Sequence, residues 1–259
     1  MRRSQRLTLT SLPDLPLIAK GDDLIEAIMG GLQRERIQLQ SGDVLAITQK
    51  IISKAEGRAV PLSDVTPSKR SQELARQTGK DARLVELILR ESKEVLRVRP
   101  GLIIVEHRLG FVCANAGVDF SNVGPEGESE DGVALLLPED PDATAQRLLD
   151  GLIRATGAKV GVLITDSHGR AWREGAVGSS IGMAGLPALV DLRGTPDLFG
   201  RLLQTTQIGL ADEIAAAASI LMGQAGEGCP VVHIRGLPYP LQDGRLRDLI
   251  RPREKDLFR

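Results

Sequence analysis

Asp166 follows the run Lys159 to Thr165 (KVGVLIT), which reads as a buried strand, and opens the sequence Asp166-Ser167-His168-Gly169-Arg170. A carboxylate where a strand ends is held rigidly and points into the crevice beyond the sheet. That suits a hard cation such as magnesium or manganese. Ser167 can add an oxygen ligand, and Arg170 and Arg173 can clamp phosphate oxygens in bidentate fashion; a polar turn with surface arginines is the plainer alternative. Asp119 lies in GVDFSNVGPEGE, where Asp, Ser and Asn in a glycine-flanked loop supply oxygen ligands and amide donors, or simply an Asx-turn. Lys50 and Lys54 come just after a strand and can neutralise a polyphosphate, or stand solvated. Gly223 to Gly228 (GQAGEG) follows a helix and precedes a strand. Its backbone amides can approach an anion, although a helix C-cap accounts for Gly223 equally well.

Two common nucleotide signatures are missing. There is no GxxxxGK[ST], and no GxGxxG follows a strand, so a bound nucleotide must be held in another way. A rival motif is GSSIG (Gly178 to Gly182), which matches a nucleophile elbow centred on Ser180, with Asp191 or Asp197 and His233 following in hydrolase order. The elbow needs a strand before it and a long amphipathic helix after it. The sequence continues MAGLPALVD instead, with a proline and no helical face. His168 beside Asp166 can be a ligand or an acid/base, whereas His107 and His233 read as isolated. Cys113 and Cys229 belong to no CxxC pair and sit in apolar runs, so they read as small buried hydrophobes rather than a disulfide or zinc site.

These residues must be positioned by a mixed set of elements. Arg6 to Leu12 reads as a strand. Leu15 to Ile18 (LPLI) is a proline-containing loop. A helix opens at Gly21-Asp22-Asp23, with Asp22 as N-cap and Ile25, Ile28, Met29 and Leu32 on one face. GDVLAIT (42–48) is a strand, 61–69 is turn-rich, and 70–93 is helical, with Leu84, Leu87, Ile88 and Glu91 at helical spacing. Strands follow near 95–99, 102–106 and 111–114, then a long loop over 115–131 and a strand over 133–137. A helix runs from Pro141 to about Thr156. Residues 175–200 are glycine-rich with short strand-like pieces, a helix spans about Ala211 to Met222, and 229–235 is a last buried strand. Strands without regular crossover helices favour an α+β fold, with largely antiparallel sheets, over a doubly wound one. The chain is expected to be one unit over 1–259, with two interleaved sub-domains and a charged peripheral tail over 240–259.

Composition narrows the function classes. The 33 basic and 34 acidic residues leave no field to draw nucleic acid or a membrane, and aromatics at 2% provide no base-stacking platform. No apolar run reaches the ~18 residues of a membrane helix, and the basic N-terminus lacks an apolar h-region. A reducing, cytoplasmic setting is expected.

Taken together, the LPLI loop, GDVLAITQKIISKAEGR, HRLGFVCANAGVDFSNV, VLITDSHGRAWREG, ADEIAAAASILMGQAGEG and PVVHIRG resemble, in order and spacing, the coenzyme F420-0:γ-glutamyl ligase family over nearly the whole chain. The resemblance implies an α+β fold unlike the common nucleotide-binding folds and an intertwined homodimer. It implies GTP as co-substrate, two magnesium or manganese ions, and potassium as a further aid. L-Glutamate would be added to the lactyl carboxylate of the deazaflavin precursor, and then further glutamate through γ-linkages. Carried over by position, Leu15, Pro16, Leu17, Ile18, Lys50, Lys54 and Asn122 resemble nucleotide contacts, as does the loop Met222, Gly223, Gln224, Ala225, Gly226, Glu227, Gly228. Asp119 and Asp166 resemble the ligands of one metal and the catalytic pair; Ser167 and Gln224 resemble ligands of the second. Ser167 stands where many relatives have Thr, and His168 replaces a more usual apolar residue. The flavin-reductase-like domain fused to some bacterial relatives is expected to be absent. The competing readings are the same ligase chemistry on another acceptor, such as a folate-like compound, and a non-catalytic nucleotide-binding regulator.

Overall fold

The computed structural model describes residues 5–123 and 132–257. In chain order the strands and helices are β1 (Thr8–Leu12), α1 (Leu24–Arg34), β2 (Val44–Thr48), α2 (Gln49–Ala55), β3 (Ala59–Pro61), α3 (Lys69–Thr78), α4 (Ala82–Arg90), β4 (Ser92–Arg99), β5 (Leu102–His107), β6 (Val112–Ala114), β7 (Val133–Leu135), α5 (Pro141–Thr156), β8 (Gly161–Arg170), β9 (Arg173–Ala184), β10 (Val190–Asp191), β11 (Gln207–Ile208), α6 (Leu210–Met222), β12 (Val231–Arg235) and α7 (Leu246–Leu249).

The central sheet runs β1-β12-β2-β8-β9. Only β2 and β8 pair in parallel, Val44 with Gly161 through Thr48 with Thr165; the other pairs are antiparallel. Both faces are covered. Leu45 and Ile47 join Leu24, Ile28 and Leu32 of α1 and Leu148, Leu149 and Leu152 of α5 in one apolar layer. Val44 and Ala46 join Leu210, Ile214 and Ala218 of α6 in the other. A strand buried on both faces needs a continuous apolar run, and VLAI in β2 and VLI in β8 meet that need. Each fully buried Leu or Ile contributes roughly 1.5–3 kcal/mol. A smaller region packs α3 and α4 on the sheet β4-β5-β6, through Leu74, Val85, Ile88, Ile103, Val105 and Cys113. The α+β expectation holds, with distinguishable sub-regions and, among the described residues, no P-loop or Rossmann arrangement.

Several elements differ from the sequence expectation. The N-cap of α1 is Asp23, which accepts from the Ile25 amide at 2.8 Å, while Asp22 accepts from Ala19 in the preceding turn. The expected helix over 70–93 is two helices, because Gly79 enters the left-handed region at φ 72° and Asp81 caps the second. β8 does not stop at Asp166: the apolar run ends there, but the ladder with β9 continues to Arg170. The glycine-rich stretch expected to hold short pieces begins as one twelve-residue strand, β9. Its glycines allow close packing rather than turns. A Cβ on Gly178 would lie 2.3 Å from the Ala215 carbonyl oxygen of α6, and one on Gly182 would lie 2.4 Å from Pro141 Cβ of α5. The strand expected from residue 229 begins at Val231, after Pro230. Part of the expected 115–131 loop, residues 124–131, lies outside the described residues.

Candidate functional site

Three chain segments reach the same end of the central sheet. β2 ends there at Thr48 and turns into α2; β8 passes through there at Thr165; and β12 starts there, with the Thr48 amide donating to the Pro230 carbonyl at 2.9 Å. The loop 223–228 therefore arrives beside the strand that carries Asp166.

Lys50, in the first turn of α2, reaches the 119–122 loop. Its Nζ lies 2.7 Å from Asp119 Oδ2 and donates to Ser121 Oγ at 2.8 Å. Asp119 Oδ1 accepts from the Ser121 amide and hydroxyl at 2.8 and 2.9 Å, so the Asx-turn is present and carries the ion pair as well. Burial pushes the Asp119 carboxyl up, but the Lys50 ammonium and Ser121 outweigh it, and the group sits below its ordinary value and ionised. Lys54 lies one turn further along α2.

The glycine loop joins both acidic segments. Asn122 Nδ2 donates to the Ala225 carbonyl at 2.9 Å, and Ser167 Oγ donates to Gln224 Oε1 at 2.8 Å. Thr165 Oγ1 lies 3.6 Å from Met222 Sδ at the end of α6. The loop already holds an anion of its own, for the Ala225 amide donates to Glu227 Oε2 at 2.8 Å. Gly223 makes room for that carboxylate: its φ is 71°, and a Cβ there would lie 2.1 Å from Glu227 Cδ. Gly223 is thus the C-cap of α6, and the Ala225 amide of the loop is taken by Glu227.

Asp166 pairs with His168, whose Nε2 lies 3.0 Å from Asp166 Oδ2. The His168 ring packs against Phe111 with centroids 5.3 Å apart, and Phe111 stacks on His107 at 5.1 Å and 4°. Arg170 and Arg173 face each other across the tip of the β8–β9 hairpin, and Arg170 Nη1 donates to the Gly175 carbonyl. Leu15 to Ile18 are anchored toward α1 instead. Leu15 packs at Gly31, Ile18 is buried in the core, and Leu17 is exposed.

His107 and His233 are not isolated, contrary to the sequence reading. His107 lies beside Glu91, which accepts from Arg58 Nη2 at 2.9 Å and Arg108 Nε at 2.8 Å. Burial pushes the Glu91 carboxyl up, yet His107, Arg108 and Arg58 together bring it down to about 2. His233 Nε2 lies 2.9 Å from Asp43, which also accepts from Arg235 at the opposite end of the sheet. Both carboxylates escaped a local reading because their partners are distant in sequence; the alternation of His233 and Arg235 on one face of β12 was the available signal.

The hydrolase alternative is overturned. Ser180 is buried inside β9 rather than perched on a turn, and His233 is committed to Asp43. Cys113 is buried, and burial chiefly pushes its thiol up to about 12, so no thiolate is available; Cys229 is only partly buried.

The donors gathered here are carboxylate, hydroxyl and amide oxygens beside one ammonium, which suits a hard cation bridged to phosphate. Among the described residues no three His, Cys, Asp or Glu side chains converge on one point.

The class follows from this fold and these donors taken with the comparisons: the protein is an enzyme, a ligase. The sequence model described as F420-0:Gamma-glutamyl ligase matches residues 14–236, and the chain belongs to that family. It is similar to the coenzyme F420:L-glutamate ligase of Methanothermobacter thermautotrophicus, 47% identical over 98% of this chain and 99% of the relative. It is also similar to the proteins of the same description from Methanocaldococcus jannaschii (47% identical; 85% and 86% covered) and Archaeoglobus fulgidus (43% identical; 98% and 97% covered). Among the described residues no helix is long and apolar enough to cross a membrane.

Proposed function

We propose that this enzyme uses GTP to join L-glutamate to the F420 precursor F420-0, and then adds further γ-linked glutamate. The observation that carries the reading is the end-to-end match at 47% identity to a coenzyme F420:L-glutamate ligase. The joint formed by Asn122, Ala225, Ser167 and Gln224 supports a shared nucleotide and metal site.

Divalent cations held by Asp119 and Asp166, with Ser167 and Gln224, would draw charge from the γ-phosphoryl group. Lys50, already paired with Asp119, is available to turn to the polyphosphate and neutralise it, with Lys54 one turn behind. Asn122 and the 223–228 loop orient the nucleotide. The acceptor carboxylate attacks the γ-phosphorus in line, GDP leaves, and an acyl phosphate results. The neutral glutamate amine then displaces phosphate. Phosphoryl transfer of this kind depends on positioning and electrostatics, so no side-chain nucleophile is required. That agrees with the protonated Cys113 and the buried Ser180.

Incubation with F420-0, L-glutamate, GTP and manganese, read by mass spectrometry, tests the reading. A ladder of glutamate additions is expected; an unchanged precursor overturns it. We further propose a homodimer in solution. The exposed Leu198, Phe199 and Leu202 between β10 and β11 offer apolar surface for a partner copy, and a monomeric sedimentation profile would refute this.

A further inference from the structure

Asp166 is a carboxylate with its two oxygens in different circumstances. Its side chain is 14% exposed, and His168 Nε2 lies 3.0 Å from Oδ2. A carboxylate accepts, so His168 donates from Nε2. Among the described residues Oδ1 takes no hydrogen bond, and it is not one of the sealed, unpartnered atoms of the interior. It is the oxygen left open. Residues two apart on a strand share a face, which is how β8 brings the imidazole and the carboxylate together.

The imidazole is itself held. Its ring lies against Phe111 with centroids 5.3 Å apart, and Phe111 stacks in turn on His107 at 5.1 Å. Phe111 packs against both the core of the central sheet and that of the smaller region, so it is a fixed wall. His107 is fully buried, and its Nδ1 accepts from the Leu109 amide at 3.0 Å, which fixes that ring too. Behind it stands Glu91 with Arg58 and Arg108. A continuous row of packed groups therefore runs from the interior of the smaller region to one oxygen of Asp166. A lone ion pair near the surface adds little stability, so backing of this depth points to orientation rather than to strength.

We propose that His168 is a positioning residue for cation binding. By holding Oδ2 it leaves Oδ1 for the cation and restricts Asp166 to one ligating oxygen. The carboxylate then meets a divalent ion already oriented, as ligating groups do when their hydrogen-bond partners are locked in place. This rests on the function proposed above, in which Asp166 holds a cation.

The test is manganese alone, titrated into the full chain and followed by the electron paramagnetic resonance of the free ion. His168→Leu keeps a side chain against Phe111 and removes the donor. Its Tm should stay within about 3 °C of wild type, while Kd for manganese rises about ten- to a hundredfold. His168→Gln returns an N–H near the place of Nε2 and should recover most of that loss. In an Asp166→Asn background, His168→Leu should change Kd by no more than about twofold, because its route to the cation is gone. An unchanged Kd in His168→Leu refutes the positioning role. So does a rise that glutamine fails to recover, or one that persists in full beside Asp166→Asn. Manganese binding by Asp166→Asn at wild-type strength, or none by wild type, also overturns it. The ligase reading fails separately, if wild-type protein leaves F420-0 unchanged while the manganese shifts appear as expected.

Discussion

At Asp166 the carboxylate pairs with His168 at 3.0 Å, and in the proposed reaction it would also hold a cation. Asp166→Asn keeps the size and the hydrogen bonding but removes the charge. It should lower ligation at least ~100-fold, the scale of losing one preorganised electrostatic contact, while the Tm stays within about 3 °C of wild type. Ligation at wild-type rates would remove Asp166 from the site. Glu91 makes the opposite case, a carboxylate whose work is structural. Its folded pKa of about 2 lies below the ordinary 4.5, so its stabilisation is fully present above pH 4.5 and is lost as the pH falls through about 2. The contribution is on the order of 3 kcal/mol. Glu91→Gln should destabilise the protein by about that amount at pH 7 and flatten the acid limb of its stability curve between pH 4.5 and 2. Urea unfolding across that range would show it, and a slope equal to wild type would count against the Glu91 cluster as the cause.

Among the elements, the second half of β9 lies against α6 at Gly178 and against α5 at Gly182, with no room for a methyl group at either. Gly182→Ala should cost about 2–3 kcal/mol through overpacking and lower the Tm by roughly 4–8 °C. Gly169→Ala, with nothing near its missing Cβ, should change stability by no more than about 0.5 kcal/mol. Calorimetry on the two variants decides whether backbone proximity is what these glycines serve. The same strand shows what could be read from sequence. The apolar runs of β2 and β8, the amphipathic face of α1 and the span of α5 from Pro141 to Thr156 are local signals, and local reading finds them. β9 was legible only in fragments, because glycine read locally means a turn, whereas here it means a neighbour pressed against the backbone. Likewise the acidic and glycine-loop residues of the site could be named in advance, because they lie within recognisable segments. The links Asn122 to Ala225 and Ser167 to Gln224 could not, since each joins residues far apart in the chain.

For the whole molecule, a ligand that bridges the 119–122 loop, β8 and the 223–228 loop ties together segments that are distant in sequence. It should therefore raise global stability. GTP with manganese at about a hundredfold over Kd should add roughly 2.7 kcal/mol, seen as a Tm rise of several degrees. Asp119→Asn should abolish most of that rise by weakening the metal and freeing Lys50. An equal rise in wild type and variant would show that the nucleotide binds away from this end of the sheet.

The position of β12 between β1 and β2 also bears on how the protein is made. A ribosome delivers β1 and β2 early, yet the strand that must lie between them, Val231–Arg235, is the last of the described strands to be made. Every element between β2 and β12 is therefore synthesised before the sheet can close, and until then β1 lacks its partner strand. The unit from α3 to β6, built on contacts close in sequence, can form while synthesis continues. The nascent chain thus carries β1 unpaired until β12 is made, the interval in which a chaperone has most to protect.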